Sequence, residues 1–493
     1  MSASNSAQVQ LGGRVSYDSV PSGPDGALDY ESTVAKPVRG AVLEVISPDT
    51  GNLVTSSTTD DAGRYSVAVP SGAQVIVRVR AQATHAGADG QWDMSVRDNT
   101  QGDSIYSMES PAFTTGAQVP TRDLHAPSGW GKTTYDTARV AAPFAVLDAI
   151  YSATKKVLGV APGSDFPPLR VYWSTENAPA VGLVSLGQIG TTSFTRDGNG
   201  IAAIYLLGKE NVDTDEYDVS VIAHEWGHYY QSAFSRDDSP GGPHSVDDRL
   251  DMRLAFSEGW GNAWSGIATG RDRYTDSLGP AQSMATVLSL VDGGATPGWF
   301  SETSVHSVIW RLYIQYGLGP IHRAFVEGLR QTPALVTIHA FAAAFAAASP
   351  SSQSELSSAL VSQGISGATN SAWAEFESNS GGISGTLPLY RAASLGVPTT
   401  ACVSDAAGEP NKMGNYVYLR YAIPASRGYR ASVSGPSGTD PDIGIFTRAG
   451  QIASAIGYGN TEALSANLAP GEVVLALNDA NGAGANCFQV VLE

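Results

Sequence analysis

The pentapeptide His224-Glu225-Trp226-Gly227-His228, set in Asp218-Val219-Ser220-Val221-Ile222-Ala223 and followed by Tyr229-Tyr230-Gln231, constrains this chain more than any other stretch. Two histidines four apart lie one above the other on a helix, about one 5.4 Å turn between them. Both imidazoles then reach one metal ion from the same face. Glu225 falls on the neighbouring flank, where it meets a water on that metal rather than the metal itself. This is the arrangement a zinc hydrolase needs. Five residues alone also occur by chance on core helices, so the rest of the chain has to supply the missing parts.

At 493 residues the chain is too long for one ordinary core, and two to four domains are expected. Its formal net charge is −18, with only 15% charged residues. No basic stripe is present to neutralise phosphates, which excludes nucleic acid as a partner and argues against an anionic membrane surface. The plain meaning of that charge is solubility. No run approaches the roughly 20 apolar residues of a membrane span, so no membrane insertion is expected. The most apolar segment, Ile338 to Ala348, is short and alanine-rich and reads as a buried helix. The first seven residues have neither a basic nor an apolar leader region and read as a start methionine ahead of an already processed, secreted chain. The two cysteines, Cys402 and Cys487, sit in strand-like runs near the ends of the last hundred residues. They are either two buried thiols or a disulfide, and a bridge over such a loop would stabilise by about 4–5 kcal/mol in the chain-entropy model. A bridge fits export to an oxidising compartment.

Three textures follow one another. Residues 8–122 read as all-β, with strands at 8–16, 40–45, 64–69 and 75–79 and turns at Asp60-Asp61-Ala62-Gly63 and Pro70-Ser71-Gly72. The order Gly-x-Val, Gly-Ala-x-Leu-x-Val, then Thr-Asp-x-x-Gly-x-Tyr-x-Val-x-Val-Pro-x-Gly resembles the transthyretin-like accessory β-sandwich of secreted peptidases. His85 and His125 are expected to do nothing chemical there. Residues 123–390 read as α+β: a helix over 136–158, a strand over 168–173, a hairpin over 191–207, the motif helix, then helices over 252–267, 305–316, 320–331, 335–348, 353–364 and 370–378. Residues 391–493 return to strands. There Asp440-Pro441-Asp442-Ile443-Gly444-Ile445-Phe446, Glu462 and Ala469-Pro470-Gly471-Glu472-Val473-Val474-Leu475 resemble the bacterial pre-peptidase C-terminal domain. The expected architecture is multidomain: an α+β zincin-like core, mostly helical after the motif, flanked by two all-β sandwiches.

A catalytic zinc takes three protein ligands and leaves one position for water. A histidine six residues after His228 would complete the metzincin pattern, but that position is Phe234. The next strong candidate is Glu258, 30 residues after His228, in Phe256-Ser257-Glu258-Gly259-Trp260; Asp247, Asp248, Asp251 and His244 are rivals. With His-Glu-x-x-His at 224–228 and Ser-Glu-Gly-Trp at 257–260, the middle region resembles the gluzincin metallopeptidases, the thermolysin-like and bacterial collagenase-like group. That resemblance implies His224, His228 and Glu258 as zinc ligands and Glu225 as general base. It implies Asn262 beside a ligand, where thermolysin-like members keep an aspartate, and His306 as an oxyanion donor, against the plainer reading of His306 as a helix-start or packing histidine. The matching tyrosine is missing, with Tyr229, Tyr230 and Tyr313 as substitutes. Substrate would add as a strand to an exposed edge formed by Thr191, Thr192, Ser193, Phe194 and Thr195. Asp213, Asp215, Glu216 and Asp218 leave two readings open, calcium binding or charge compensation at the motif helix's N-terminus. The loop Ser239-Pro240-Gly241-Gly242-Pro243-His244 reads as a flexible cover over the cleft.

The leading expectation is a secreted zinc endopeptidase acting on protein or peptide, with the β-domains open to glycan or cell-surface contact. The alternatives are a non-catalytic adhesion protein with a degenerate peptidase core and a narrow-specificity glycoprotein peptidase. Glu225 discriminates, because a degenerate core usually loses its base first.

Overall fold

The computed structural model describes residues 7–116, 121–404, 410–482 and 484–493. Met1–Ser6, which carry most of the start-methionine reading, lie outside them. The chain is multidomain and divides into two compact units, Met1–Tyr229 with Ala268–Leu288, and Tyr230–Ile267 with Ser289–Glu493.

The first unit is built on β-strands whose alternation is visible in the sequence. In Arg64–Pro70, Tyr65, Val67 and Val69 are buried while Arg64, Ser66 and Ala68 face water, the period-2 pattern of a half-buried strand. That strand pairs antiparallel with Gln8–Ser19, which also pairs with Val34–Pro37 and, in parallel, with Leu124–Ala126. A larger, ten-stranded sheet has the main path Ser193–Arg196, Ala202–Leu206, Leu169–Trp173, Gly90–Asp98, Gln74–Gly87, Ala41–Ile46, Leu53–Thr58. Leu169–Trp173 runs parallel to both of its neighbours. The sheet therefore crosses the boundary expected at 122/123. Helix α1 (Ala142–Leu158) buries Phe144, Leu147, Ile150 and Val157; Arg39 ties to it through Asp148 at 2.6 Å.

Helix α2 (Val219–Phe234) carries the motif. Helix α3 (Met252–Thr269) carries Glu258 and buries almost its whole length. In the second unit follow α4 (Glu302–Tyr316), α5 (Leu318–Arg323), α6 (Ile338–Ala348) and α7 (Gln353–Ser362). Gly259 lets α3 and α4 approach, since a Cβ there would stand 2.5 Å from Val305 Cβ. After α5 the chain passes through a π-turn at Ala324–Gly328 and a 3-10 turn at Leu329–Gln331.

The helix expected over 370–378 does not form. Ala374 takes φ +52°, and the Glu377 carboxylate accepts from the Ser366, Ser378 and Asn379 amides and from His339. A side chain that captures nearby backbone donors competes with a helix for them.

The last hundred residues form a five-stranded and a four-stranded sheet around Leu419, Tyr421, Val433, Ile445, Leu475, Phe488 and Val490. Cys402 and Cys487 form a disulfide across directly paired residues of Thr399–Cys402 and Cys487–Leu492. Buried Arg253 joins α3 to this sandwich: it bonds Asp251 at 2.8 Å and lies over the Tyr416 ring at 4.3 Å. Buried Arg236 does similar work, pairing with Asp238 at 2.9 Å and donating to the carbonyls of Thr332, Ala334, Thr447 and Arg448. Among the described residues no helix is long and apolar enough to cross a membrane.

Candidate functional site

Helix α2 is held by an apolar side in which Val221, Ile222, Trp226 and Tyr229 are buried. The spacing turns His224 and His228 together, and their Nε2 atoms stand 3.0 Å apart. Two nitrogens bound to one tetrahedral zinc at about 2.0–2.1 Å are separated by roughly 3.3 Å. The pair is thus close to the edge a metal tetrahedron requires. Glu225 is buried next to them, and its carboxylate has no hydrogen-bond partner among the described residues.

Among the described residues two groups of side chains are able to hold a metal ion: His224, His228 and Glu258, and Asp213, Asp215 and Asp276. In each, the ligand atoms lie within 4.8 Å of one another.

Glu258 has a neighbour the sequence offered only as a rival. His244 Nε2 is 3.4 Å from Glu258 Oε2 and 3.6 Å from Glu302 Oε2. Burial pulls the His244 pKa down, but the bond to Glu258 and the charges of Glu258 and Glu302 outweigh it and raise it to about 9. The loop read as a flexible cover thus brings an imidazole to Glu258. Asn262 is buried and points its amide at Glu302 Oε1, at a long 3.5 Å. Glu302, at the start of α4, was not visible as a site residue, because nothing in its local pattern separates it from an ordinary first-turn acid.

The oxyanion expectation for His306 needs correcting. His306 is fully buried, with Nε2 3.0 Å from the Ser289 carbonyl, and burial holds its pKa down to about 4. Those are the surroundings of a packing histidine. Tyr229 donates its hydroxyl to the Pro167 carbonyl at 2.6 Å, and the Tyr230 hydroxyl bonds His322 Nδ1 at 2.8 Å. Both hydroxyls are committed. Another tyrosine lies beside the motif: Tyr274, on the strand Arg273–Leu278, has its ring 5.9 Å from that of His224. Burial pushes its phenol well up, and the charges of Asp276, Asp215 and Glu225 add to that. Its hydroxyl has no hydrogen-bond partner among the described residues.

Of the expected edge strand, Ser193, Phe194 and Thr195 lie in Ser193–Arg196 at one end of the ten-stranded sheet, paired among the described residues with Ala202–Leu206. Thr191 and Thr192 precede it; Thr192 instead donates its hydroxyl to Asp215 and accepts from the Leu207 amide.

The acidic run before α2 divides. Glu216 is committed to Arg139 at 3.1 Å, with Trp173 and Thr214 also donating to it. Asp215 and Asp218 are buried, and burial raises both carboxyls well above the usual range, with Asp276 and Asp213 adding repulsion. Burial likewise lifts Asp213 to about 6 and Asp276 to about 7.

No family model matches the chain, and no curated protein matches it. Similar solved structures include the pre-peptidase C-terminal domain of collagenase from Bacillus anthracis, at 15% identity and TM-score 0.18, covering 21% of this chain and 94% of that one. A carbohydrate-binding module of Cellvibrio mixtus lichenase 5A matches at 16% identity and TM-score 0.13, over 20% of this chain and 86% of that one. The periplasmic lysozyme inhibitor PliG of Aeromonas hydrophila matches at 12% identity and TM-score 0.15, over 21% and 99%. Likenesses at these scores carry no argument about activity.

Proposed function

We propose that this chain is a secreted zinc-dependent endopeptidase with an α+β core of the zincin type. The observation that carries the reading is the convergence of the His224 and His228 Nε2 atoms at 3.0 Å, on a helix that also presents Glu225. Two imidazoles and the Glu258 carboxylate make a donor set that suits zinc and leaves a fourth position open. Held by these residues, zinc would supply Lewis-acid chemistry: a bound water of pKa near 7 and a polarised scissile carbonyl.

The chain's own residues do the remaining work. Glu225 takes the proton of the attacking water and delivers it to the leaving amine. Tyr274 donates its phenolic proton in a hydrogen bond to the oxygen that gains charge in the transition state, the role expected of His306. His244 orients Glu258 through its Nε2 contact. A peptide adds as a strand beside Ser193–Arg196, with its backbone paired and its side chains alternating. The sandwiches supply contact with glycan or cell-surface protein, and the disulfide suits an oxidising compartment.

Hydrolysis of casein and of a labelled peptide library, with and without chelator and beside Glu225→Gln, tests the reading. Chelator-sensitive cleavage that Glu225→Gln abolishes supports it. A zinc-loaded chain that cleaves no member of the library replaces it with a non-catalytic binding protein.

A further inference from the structure

We infer that Asp213, Asp215 and Asp276 hold a calcium ion beneath the N-terminus of α2, with Asp218 buried beside them. Their ligand oxygens lie within 4.8 Å of one another, and calcium with oxygens at about 2.4 Å has a coordination shell about 4.8 Å across. The set contains no nitrogen or sulfur, which selects a hard cation over zinc or copper.

A second observation comes from Asp218, which is fully buried. Its Oδ2 accepts from the Ser277 hydroxyl at 2.6 Å and from the Ser277 amide at 3.2 Å. Its Oδ1 is buried with no partner, as are Asp213 Oδ1 and Asp276 Oδ1. Asp276 and Asp213 act on the Asp218 carboxylate through their charges, which places it near the acidic group. Asp215 lies in the combined field of Asp213, Asp276 and Asp218.

No arginine or lysine among the described residues pairs with any of these four. The arginine on the neighbouring acids, Arg139, is spent on Glu216 at 3.1 Å and Glu210 at 4.0 Å. Buried carboxylates without a counter-charge are strongly unfavourable, and a divalent cation removes that penalty for all of them at once. Thr192 already donates to Asp215, which leaves the other oxygen of that carboxylate for the ion.

The position gives the ion its use. Asp213 lies on Asp213–Thr214 and Asp276 on Arg273–Leu278, two strands paired through Asp213 and Leu278. Asp218 also supplies the carbonyl that accepts from the Ile222 amide in the first turn of α2. A bound cation therefore locks the strand pair to the start of the helix bearing His224, Glu225 and His228. The inference is independent of the zinc reading, because the two donor sets share no residue.

The full chain, loaded with zinc and freed of calcium by a calcium-selective chelator, is titrated with Ca2+, Mg2+ and Tb3+. Calcium is expected to raise the midpoint of thermal unfolding. Terbium emission is expected to be sensitised through Tyr274, which borders Asp276 and Asp215, and to be displaced by calcium. Asp213→Asn and Asp276→Asn should each weaken terbium binding roughly tenfold or more, since affinity follows the number of charged ligands. A wild-type chain with neither a calcium-dependent midpoint nor terbium emission overturns the inference, whether or not the variants fold. So does a response to magnesium that calcium does not reproduce, or a calcium response undiminished in both variants. Zinc content and peptide hydrolysis are followed in parallel: loss of the zinc reading with an intact calcium response leaves this inference standing.

Discussion

The two metal-capable groups near the start of α2 differ in every respect that matters. One contains two imidazoles four residues apart on a single helix, beside a glutamate free to take a proton. The other is all carboxylate, gathered from a two-residue strand, the turn after it and a strand some sixty residues later. The first has nitrogen donors and a base, which suits a Lewis acid that activates water. The second has only hard oxygens and no nitrogen donor, which suits a structural cation.

Substitutions should keep the two apart. His224→Ala is expected to bring peptide hydrolysis to background and to eliminate bound zinc, while calcium still shifts thermal unfolding; both are read by metal analysis and a melting curve. Glu225→Gln should lower kcat by about 10²–10⁴-fold while zinc stays bound, because it removes the proton carrier and not a ligand. Tyr274→Phe should lower kcat about 10²-fold with KM little changed, the signature of a contact made in the transition state. If Tyr274→Phe instead released zinc, its ring would be packing His224 rather than serving the oxyanion.

The acidic group should respond in stability and not in rate. At calcium a hundredfold above its dissociation constant, the folded state should gain about 2.7 kcal/mol over the calcium-free protein. In calcium-free protein, Asp213 at about 6 and Asp276 at about 7 lie above the unfolded value of about 3.9. The folded chain then holds more protons than the unfolded one between those values, so stability falls as pH rises from about 4 to about 7. Denaturant melts across that window should show the slope without calcium and lose it with calcium.

The same contrast explains what could be read beforehand. The motif helix and the alternation of Arg64–Pro70 are local patterns, and both were legible. Glu258 was one candidate, beside Asp247, Asp248, Asp251 and His244, once Phe234 had removed the histidine alternative. Asp276 was not, because only the pairing of Asp213–Thr214 with Arg273–Leu278 brings it to Asp213. Glu216 was grouped with its acidic neighbours, since nothing in the sequence reveals that Arg139 claims it. His306 was expected at the site and Tyr274 was not for a similar reason: burial against the Ser289 carbonyl and a strand passing His224 are tertiary facts. The parallel pairing of Gly90–Asp98 with Leu169–Trp173 carries no turn signal, so the sheet's passage across residue 122 was hidden.

Zinc added back to metal-free protein, with peptide hydrolysis and bound metal followed together, tests the central claim most directly. The account predicts that activity rises with the first equivalent of zinc and then levels, and that Glu225→Gln binds that equivalent without gaining activity. Full hydrolysis by metal-free protein, or one bound zinc without hydrolysis of any peptide, would contradict it.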